Sequence, residues 1–351
     1  MKASLKRDLE RSLDYLLPIL EPLKEKSILI TGAGFMGSWV ARALAWLNDE
    51  HGFNMKITLV TKHPDKLRTS DASLYNRGDI EVIRSDVRSL HTLPPETNYI
   101  IHTAGNPDNR AHMSDAINTM DTIATGTKVL LDSASRLENI EAIVHISSGQ
   151  VYGRGIDSDK INESTSSPLL KYDVNSIYPE AKRYSEALCL AYMSNNKLPI
   201  IIVRPFSFIG PYQELNKPWA INSFLQEALN NQPMRIVGNG KPQRSYLYAS
   251  DMAAWLLAVL AKGKKGDIYN LGSSEGVSLL EITTKINQIL NRNLQVLIQN
   301  HNDNESKFIP DEERIKEQLG VKEMFTFEEA LRNTIEWNIK NLAQKEAHGK
   351  D

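Results

Sequence analysis

Ser27-Ile28-Leu29-Ile30-Thr31, followed at once by Gly32-Ala33-Gly34-Phe35-Met36-Gly37, decides how the rest of the chain is read. The apolar run has the length of a buried strand, and the three glycines fit G-x-G-x-x-G before a helix expected through Trp46. Strand, glycine turn and helix in that order leave no side chain between a pyrophosphate and the amides of the helix N-terminus. A dinucleotide-binding unit follows, with Gly32, Gly34, Phe35, Met36 and Gly37 against the cofactor.

Working outward, the alternation continues. Strands are expected at Lys56–Val60, Ile80–Ile83, Asn98–Ile101, Ala142–Ile146 and Leu198–Val203, with helices through about Ser133 and from Tyr178 to roughly Met193. This implies an α/β fold: a Rossmann-type doubly wound parallel sheet with helices on both faces and a smaller C-terminal α/β lobe for substrate. Beyond the sheet a helix is expected at Ala220–Asn230, a strand at Met234–Val237, a turn at Gly238-Asn239-Gly240 and a helix capped by Ser250 or Asp251. Tyr269-Asn270-Leu271-Gly272 reads as another strand and turn. The expected divisions are a helical extension (1–25), the dinucleotide domain (26–204, with 244–270 returning to it), the lobe (205–243 and 271–338) and a partly disordered polar tail (339–351). Leu5, Leu9, Leu13, Leu16, Leu17 and Leu20 give the extension an apolar face that packs on the main domain.

Composition excludes several classes. Across 351 residues, 41 Lys and Arg against 43 Asp and Glu give a net charge of -2, so a general binder of nucleic acid or membrane surface is not expected. Cys189 is the only cysteine, which rules out an intramolecular disulfide. No apolar run approaches a membrane span, and Lys2, Lys6, Arg7 and Arg11 leave no signal-peptide core, so a cytoplasmic protein is expected.

The chemistry is expected at two stretches, Ser147-Ser148-Gly149-Gln150-Val151-Tyr152-Gly153 and Tyr178-Pro179-Glu180-Ala181-Lys182. The first leaves the carboxyl end of a strand, where open α/β sheets bind ligands. In the second, the spacing of Tyr178 and Lys182 puts both on one helical face, where the ammonium lowers the phenol pKa and makes Tyr178 a base, with Ser148 relaying to a substrate alcohol. Thr61 and Lys62 end the second strand without a carboxylate, a slight lean to NADP over NAD. Asp86 can accept from adenine while Val87 packs on the ring, and Thr103, Ala104 and Gly105 let backbone approach the cofactor. His102, Cys189, Trp39 and Trp46 read as structural.

These motifs, with Arg204-Pro205-Phe206-x-x-x-Gly210-Pro211 after them, resemble the extended short-chain dehydrogenase/reductase superfamily, and within it the nucleotide-sugar epimerase and dehydratase branch. Gly238-Asn239-Gly240, Arg244, Asp251 and Tyr269-Asn270-Leu271-Gly272 extend the resemblance over about residues 27–338. It implies a tightly bound NAD or NADP bordered by Pro205, a nucleotide-diphosphate sugar as substrate, and a homodimer formed through the helix carrying the tyrosine and its neighbour. It further implies Tyr178 as acid/base at a sugar hydroxyl, usually at C4, with Lys182 on the nicotinamide ribose and Ser148 orienting the hydroxyl. Arg244 and the helix around Asn222 would meet the diphosphate, while Gly149, Gln150 and Ser207 would line the sugar; no metal is implied.

The departures decide between reactions. Dehydratases of this branch carry an Asp-Glu pair where Gly149 and Gln150 stand, and its decarboxylases tend to keep a glutamate at the position of Gln150. Ile123 and Ser207 replace asparagines that the branch often places beside the sugar. Asp173 and Glu180 read as solvated charges rather than substitutes. An epimerase working by transient oxidation at C4 loses nothing by these changes. The alternatives are a dehydratase with relocated acids, an NADPH-dependent 4-keto-sugar reductase, or a cofactor-sensing protein without activity, the last opposed by the intact Ser148, Tyr178 and Lys182.

Overall fold

Runs such as Ile28-Leu29-Ile30 and Ile143-Val144 are apolar at every position, so a strand built from them must be covered on both faces. A computed structural model of the chain describes residues 1–153, 156, 158–166, 173–299 and 306–348. Among them, β1 (Ser27–Thr31), β2 (Lys56–Thr61), β3 (Ile80–Arg84), β4 (Thr97–His102), β5 (Ala142–Ile146), β6 (Ile200–Pro205) and β7 (Ile268–Leu271) form one parallel sheet. The order is β7-β6-β5-β4-β1-β2-β3, so the direction of winding reverses between β1 and β4. A crevice opens at such a reversal, outside the carboxyl ends of the strands.

The principal helices are α1 (Ala3–Leu13), α2 (Phe35–His51), α3 (Ala116–Ala134), α4 (Ile177–Asn196), α5 (Ala220–Leu229), α6 (Ala249–Lys262), α7 (Leu279–Leu290) and α8 (Phe327–His348). Ile28 and Ile30 enter the apolar layer shared with α2, α6 and α1, while Leu29 enters the opposite layer with Leu130, Leu131 and Cys189. That is the period-two alternation of a strand covered by helices on both sides. A separate core joins α5, α7 and α8 through Ile221, Phe224, Ile282, Ile286 and Leu331.

Several boundaries differ from expectation. Helix α2 continues past Trp46 to His51 and ends at Gly52, whose φ of 61° closes the last turn by an amide bond to the Leu47 carbonyl. The extension is a helix to Leu13 and then tight turns to Leu23, with Leu5, Leu9, Leu13, Leu16, Leu20 and Leu23 all buried. The stretch expected to be a polar tail from 339 instead continues α8 to His348. Nor do Ser250 and Asp251 cap α6, which has Tyr248 at its cap without a side-chain bond. Both lie inside the first turn, and Asp251 serves other segments: it accepts from the Ser12 hydroxyl at 2.7 Å and the amides of Met324 and Phe325 at 2.9 and 3.2 Å. A carboxylate with three donors from two distant segments ties the extension to the start of α8.

Candidate active site

The sheet hydrogen bonds run one residue beyond the strands and hold the crevice loops. Gly32 donates to the Val60 carbonyl at 2.7 Å, Thr103 to Thr31 at 3.0 Å, Ser147 to Val203 at 2.8 Å and Phe206 to Leu271 at 2.9 Å. A Cβ at Gly37 would lie 2.0 Å from the Gly32 carbonyl oxygen, so helix and strand meet too closely for any side chain. Gly34 has nothing within 4 Å of its missing Cβ, and as the α2 N-cap it makes no side-chain bond to the first amides. The turn is closed where α2 packs on β1 and open where an anion would meet the amides, so these residues fit a dinucleotide pyrophosphate. Phe35 and Met36 are half-buried against the core below. Thr103 fixes the turn through its hydroxyl, 2.6 Å from the Thr31 carbonyl, beside Ala104 and Gly105. Gly105 brings backbone within reach of Lys182: a Cβ there would be 3.5 Å from Nζ.

At the end of β2 the charges are matched. Asp86 accepts from the Arg88 guanidinium at 2.6 Å and amide at 2.9 Å, and Lys62 lies 3.1 Å away, so its carboxyl is held well below the usual range. Thr61 pairs in register with Arg84, which is itself bonded to Asp65. Neither Lys62 nor Arg84 is therefore an unmatched cation, which weakens the lean to NADP. Val87 is buried, and α3 approaches it so closely that a Cβ at Gly126 would lie 2.5 Å from its methyl.

Ser148, Tyr178 and Lys182 come together at the ends of β5 and α4, all three buried. One expectation is overturned. The Tyr178 phenol is not lowered; burial pushes it up to about 12, with only the neighbouring Ser148 hydroxyl pulling the other way. The reason is the lysine's own surroundings. Its Nζ donates to the Ile146 carbonyl at 2.7 Å, stands 5.9 Å from the phenol ring centre, and burial brings its pKa down to about 8.

The residues expected along the sugar divide. Ser148 Oγ accepts the Gln150 amide at 3.1 Å, and Gln150 itself is exposed. A Cβ on Gly149 would stand 3.0 Å from the Phe206 ring, which also packs on Phe308 at 4.6 Å and Tyr152 at 6.3 Å between centres. Ser207 and Pro205 are half-buried at the end of β6. Arg244 is half-buried on the short strand Gln243–Arg244, with its guanidinium 2.6 Å from the Gln243 carbonyl and beside Ser306. Asn222 is fully buried, accepts from Gln213 at 2.7 Å and donates to the Glu214 carbonyl at 2.9 Å, which ties α5 to the loop before it.

Sequence reading missed His112 altogether. It lies in a short helix, Asn109–Ser114, and its ring stacks on Tyr178 with centres 4.2 Å apart and planes 7° from parallel. No local motif marks it; only the return of the loop after β4 over the start of α4 creates the contact. His102 keeps the structural place expected of it, between Thr31 and Thr127, its pKa brought down to about 3 by burial. Asp173 and Glu180 are exposed, the first bonded to the Asn175 amide and the second to Arg183.

Comparison with known proteins agrees with this architecture. The chain is 29% identical over 332 residues to a trifunctional UDP-glucose 4,6-dehydratase/UDP-4-keto-6-deoxy-D-glucose 3,5-epimerase/UDP-4-keto-L-rhamnose-reductase of Arabidopsis thaliana, covering 91% of this chain and 48% of that one. It thus spans about half the length of the first such relatives. It is 26% identical over 337 residues to dTDP-glucose 4,6-dehydratase 1 of Escherichia coli, covering 90% and 93% of the two chains. In fold it is similar to UDP-glucuronic acid 4-epimerase from Bacillus cereus in complex with UDP-glucuronic acid and NAD, with TM-score 0.77, 24% identity and 90% and 99% coverage. The family model described as the NAD dependent epimerase/dehydratase family matches residues 28–272, and the chain belongs to that family.

Proposed function

We propose that this chain epimerises a nucleotide-diphosphate sugar by transient oxidation at C4, with NAD as the resident cofactor. One observation carries the reading: Ser148, Tyr178 and Lys182 are buried together beside a glycine turn that fits a pyrophosphate, and a Cβ at 149 would sit 3.0 Å from the Phe206 ring, so the site favours glycine where dehydratases of this branch carry an acid. An acid at 149 would require that ring to shift by a few tenths of an ångström. Asp173 and Glu180, the candidates for relocated acids, are exposed and bonded locally.

A nicotinamide cofactor bound here would supply a reversible hydride acceptor for C4 of the sugar. Tyr178 takes the C4 hydroxyl proton as the hydride leaves and gives it back on return, so no net oxidant or acid is consumed. Ser148 orients that hydroxyl, and Lys182 holds the nicotinamide ribose. Arg244 pairs with the substrate diphosphate, a task suited to a guanidinium. The preference for NAD over NADP rests on the matched charges of Lys62 and Arg84 and on the NAD held by proteins of similar fold.

We also propose a homodimer through α3 and α4, where Ile117, Met120, Tyr184 and Leu190 remain exposed. Among the described residues no helix is long and apolar enough to cross a membrane.

The test is incubation of the purified protein with UDP-, GDP-, CDP- and dTDP-sugars, following the C4 configuration of the product and the absorbance of reduced nicotinamide. Inversion without net nicotinamide change is expected, and Tyr178→Phe should bind cofactor but lose turnover. Stoichiometric consumption of reduced nicotinamide, or an active Tyr178→Phe variant, overturns the reading.

A further inference from the structure

The excursion between β4 and α3 spans the crevice. At one end His112 lies flat on the Tyr178 ring, centres 4.2 Å apart. Its Nε2 is 2.5 Å from the Asn106 carbonyl, so that nitrogen carries a proton and donates to it. At the other end Arg110 donates to the Asn216 carbonyl at 2.9 Å, and Lys217 reaches Asp108 at 3.4 Å. Asp108 is buried and also accepts the Arg110 amide at 3.0 Å and guanidinium at 3.0 Å. Asn216 and Lys217 lie on the approach to α5, so one short segment connects the phenol to the smaller lobe.

We propose that His112 is a positioning residue for Tyr178, fixing the plane of the phenol so that its oxygen meets the sugar hydroxyl. This rests on the reading of Tyr178 as acid/base. A buried phenol at the start of a helix can rotate about its side-chain bonds, and a parallel ring on one face removes that freedom. The charges facing the imidazole are Asp108, which favours its cation, and Lys182, which opposes it; burial disfavours the cation most. With Nε2–H committed to the Asn106 carbonyl, His112 presents the flat face of its ring to the phenol. Its place is set by the Asp108, Arg110 and Lys217 contacts, which makes the orientation of the phenol depend on the position of the segment leading into α5.

The test compares His112→Ala with His112→Phe, which keeps a flat ring but cannot titrate. Two readouts are needed: steady-state kinetics, and NMR of protein labelled at tyrosine, with the Tyr178 signal assigned by its loss in Tyr178→Phe. In the wild type the stacked ring should shift the Tyr178 ring signals, and this shift should vanish in His112→Ala and persist in His112→Phe. For His112→Ala, kcat should fall about tenfold or more while KM and NAD affinity stay within about threefold; His112→Phe should recover most of kcat. A general loss of folding would instead move KM, NAD affinity and kcat together and would overturn the proposal. So would a Tyr178 spectrum unaffected by His112→Ala, a kcat unaffected by it, or a His112→Phe variant as slow as His112→Ala. If no sugar nucleotide is turned over by the wild type, the underlying reaction is overturned, and the NMR arm still decides separately whether the two rings are in contact.

Discussion

Lys182 is a buried cation in a site arranged for chemistry, and its removal should stabilise the fold. Burial brings its pKa from 10.5 down to about 8. A depressed lysine pKa means the folded state binds the proton less tightly than the unfolded chain. The penalty is fully present below the folded value and is relieved as pH rises from about 8 to 10.5. That shift corresponds to about 3 kcal/mol at neutral pH and roughly half as much near pH 9.5. Against it stands the 2.7 Å bond to the Ile146 carbonyl, whose loss costs about 1–2 kcal/mol. For Lys182→Met, a side chain of similar length that needs no partner, the balance is a gain of about 1–2 kcal/mol at pH 7. Near pH 9.5 the same bookkeeping gives about zero. The assay is urea unfolding of the cofactor-free protein at both pH values, wild type against variant, so that other titrating groups cancel in the difference. NAD affinity should fall in parallel if the lysine holds the ribose. A variant less stable than wild type by about 2 kcal/mol at pH 7, with a difference that does not change with pH, would refute the reasoning.

Other expectations follow from single contacts. Gly149→Asp places a Cβ 3.0 Å from the Phe206 ring and should cost about 1–3 kcal/mol by urea unfolding, with Phe206→Ala in the same chain recovering part of the loss. Ser12→Ala removes a 2.7 Å donor from the buried Asp251 carboxylate and should cost about 1–3 kcal/mol, measured as a lower melting temperature. Asp251 itself is pushed up to about 6 by burial, so its neutral form is the one the fold prefers. Its contribution is present in full below about 3.8 and is lost as pH rises through 6, and Asp251→Asn should flatten that part of the stability profile between pH 4 and 7. Leu9→Ala, in the wholly buried face of α1, should cost about 2–5 kcal/mol by the same unfolding assay.

The sheet and the glycine turn after its first strand were legible because their signals are local. An apolar run that can only be satisfied by cover on both faces, followed by a turn in which the Gly32 carbonyl leaves no space for a Cβ at Gly37, is written in consecutive residues. The i, i+4 spacing placed Tyr178 and Lys182 on one face of α4 for the same reason. What the sequence could not supply was the environment of those groups. Whether an ammonium lowers a neighbouring phenol depends on where its hydrogens point and how dry the site is, and here the Ile146 carbonyl and burial decide both. The resemblance set the helix around Asn222 against the diphosphate, but that the Asn222 amide bonds Gln213 and Glu214 is visible only in the folded chain. The stack of His112 on Tyr178, the Phe206 ring over Gly149 and the bond from Ser12 to Asp251 join residues 66, 57 and 239 positions apart. Periodicity carries no information at such separations: it says which way a side chain faces within its own element, and only the packing of one element on another says what it meets.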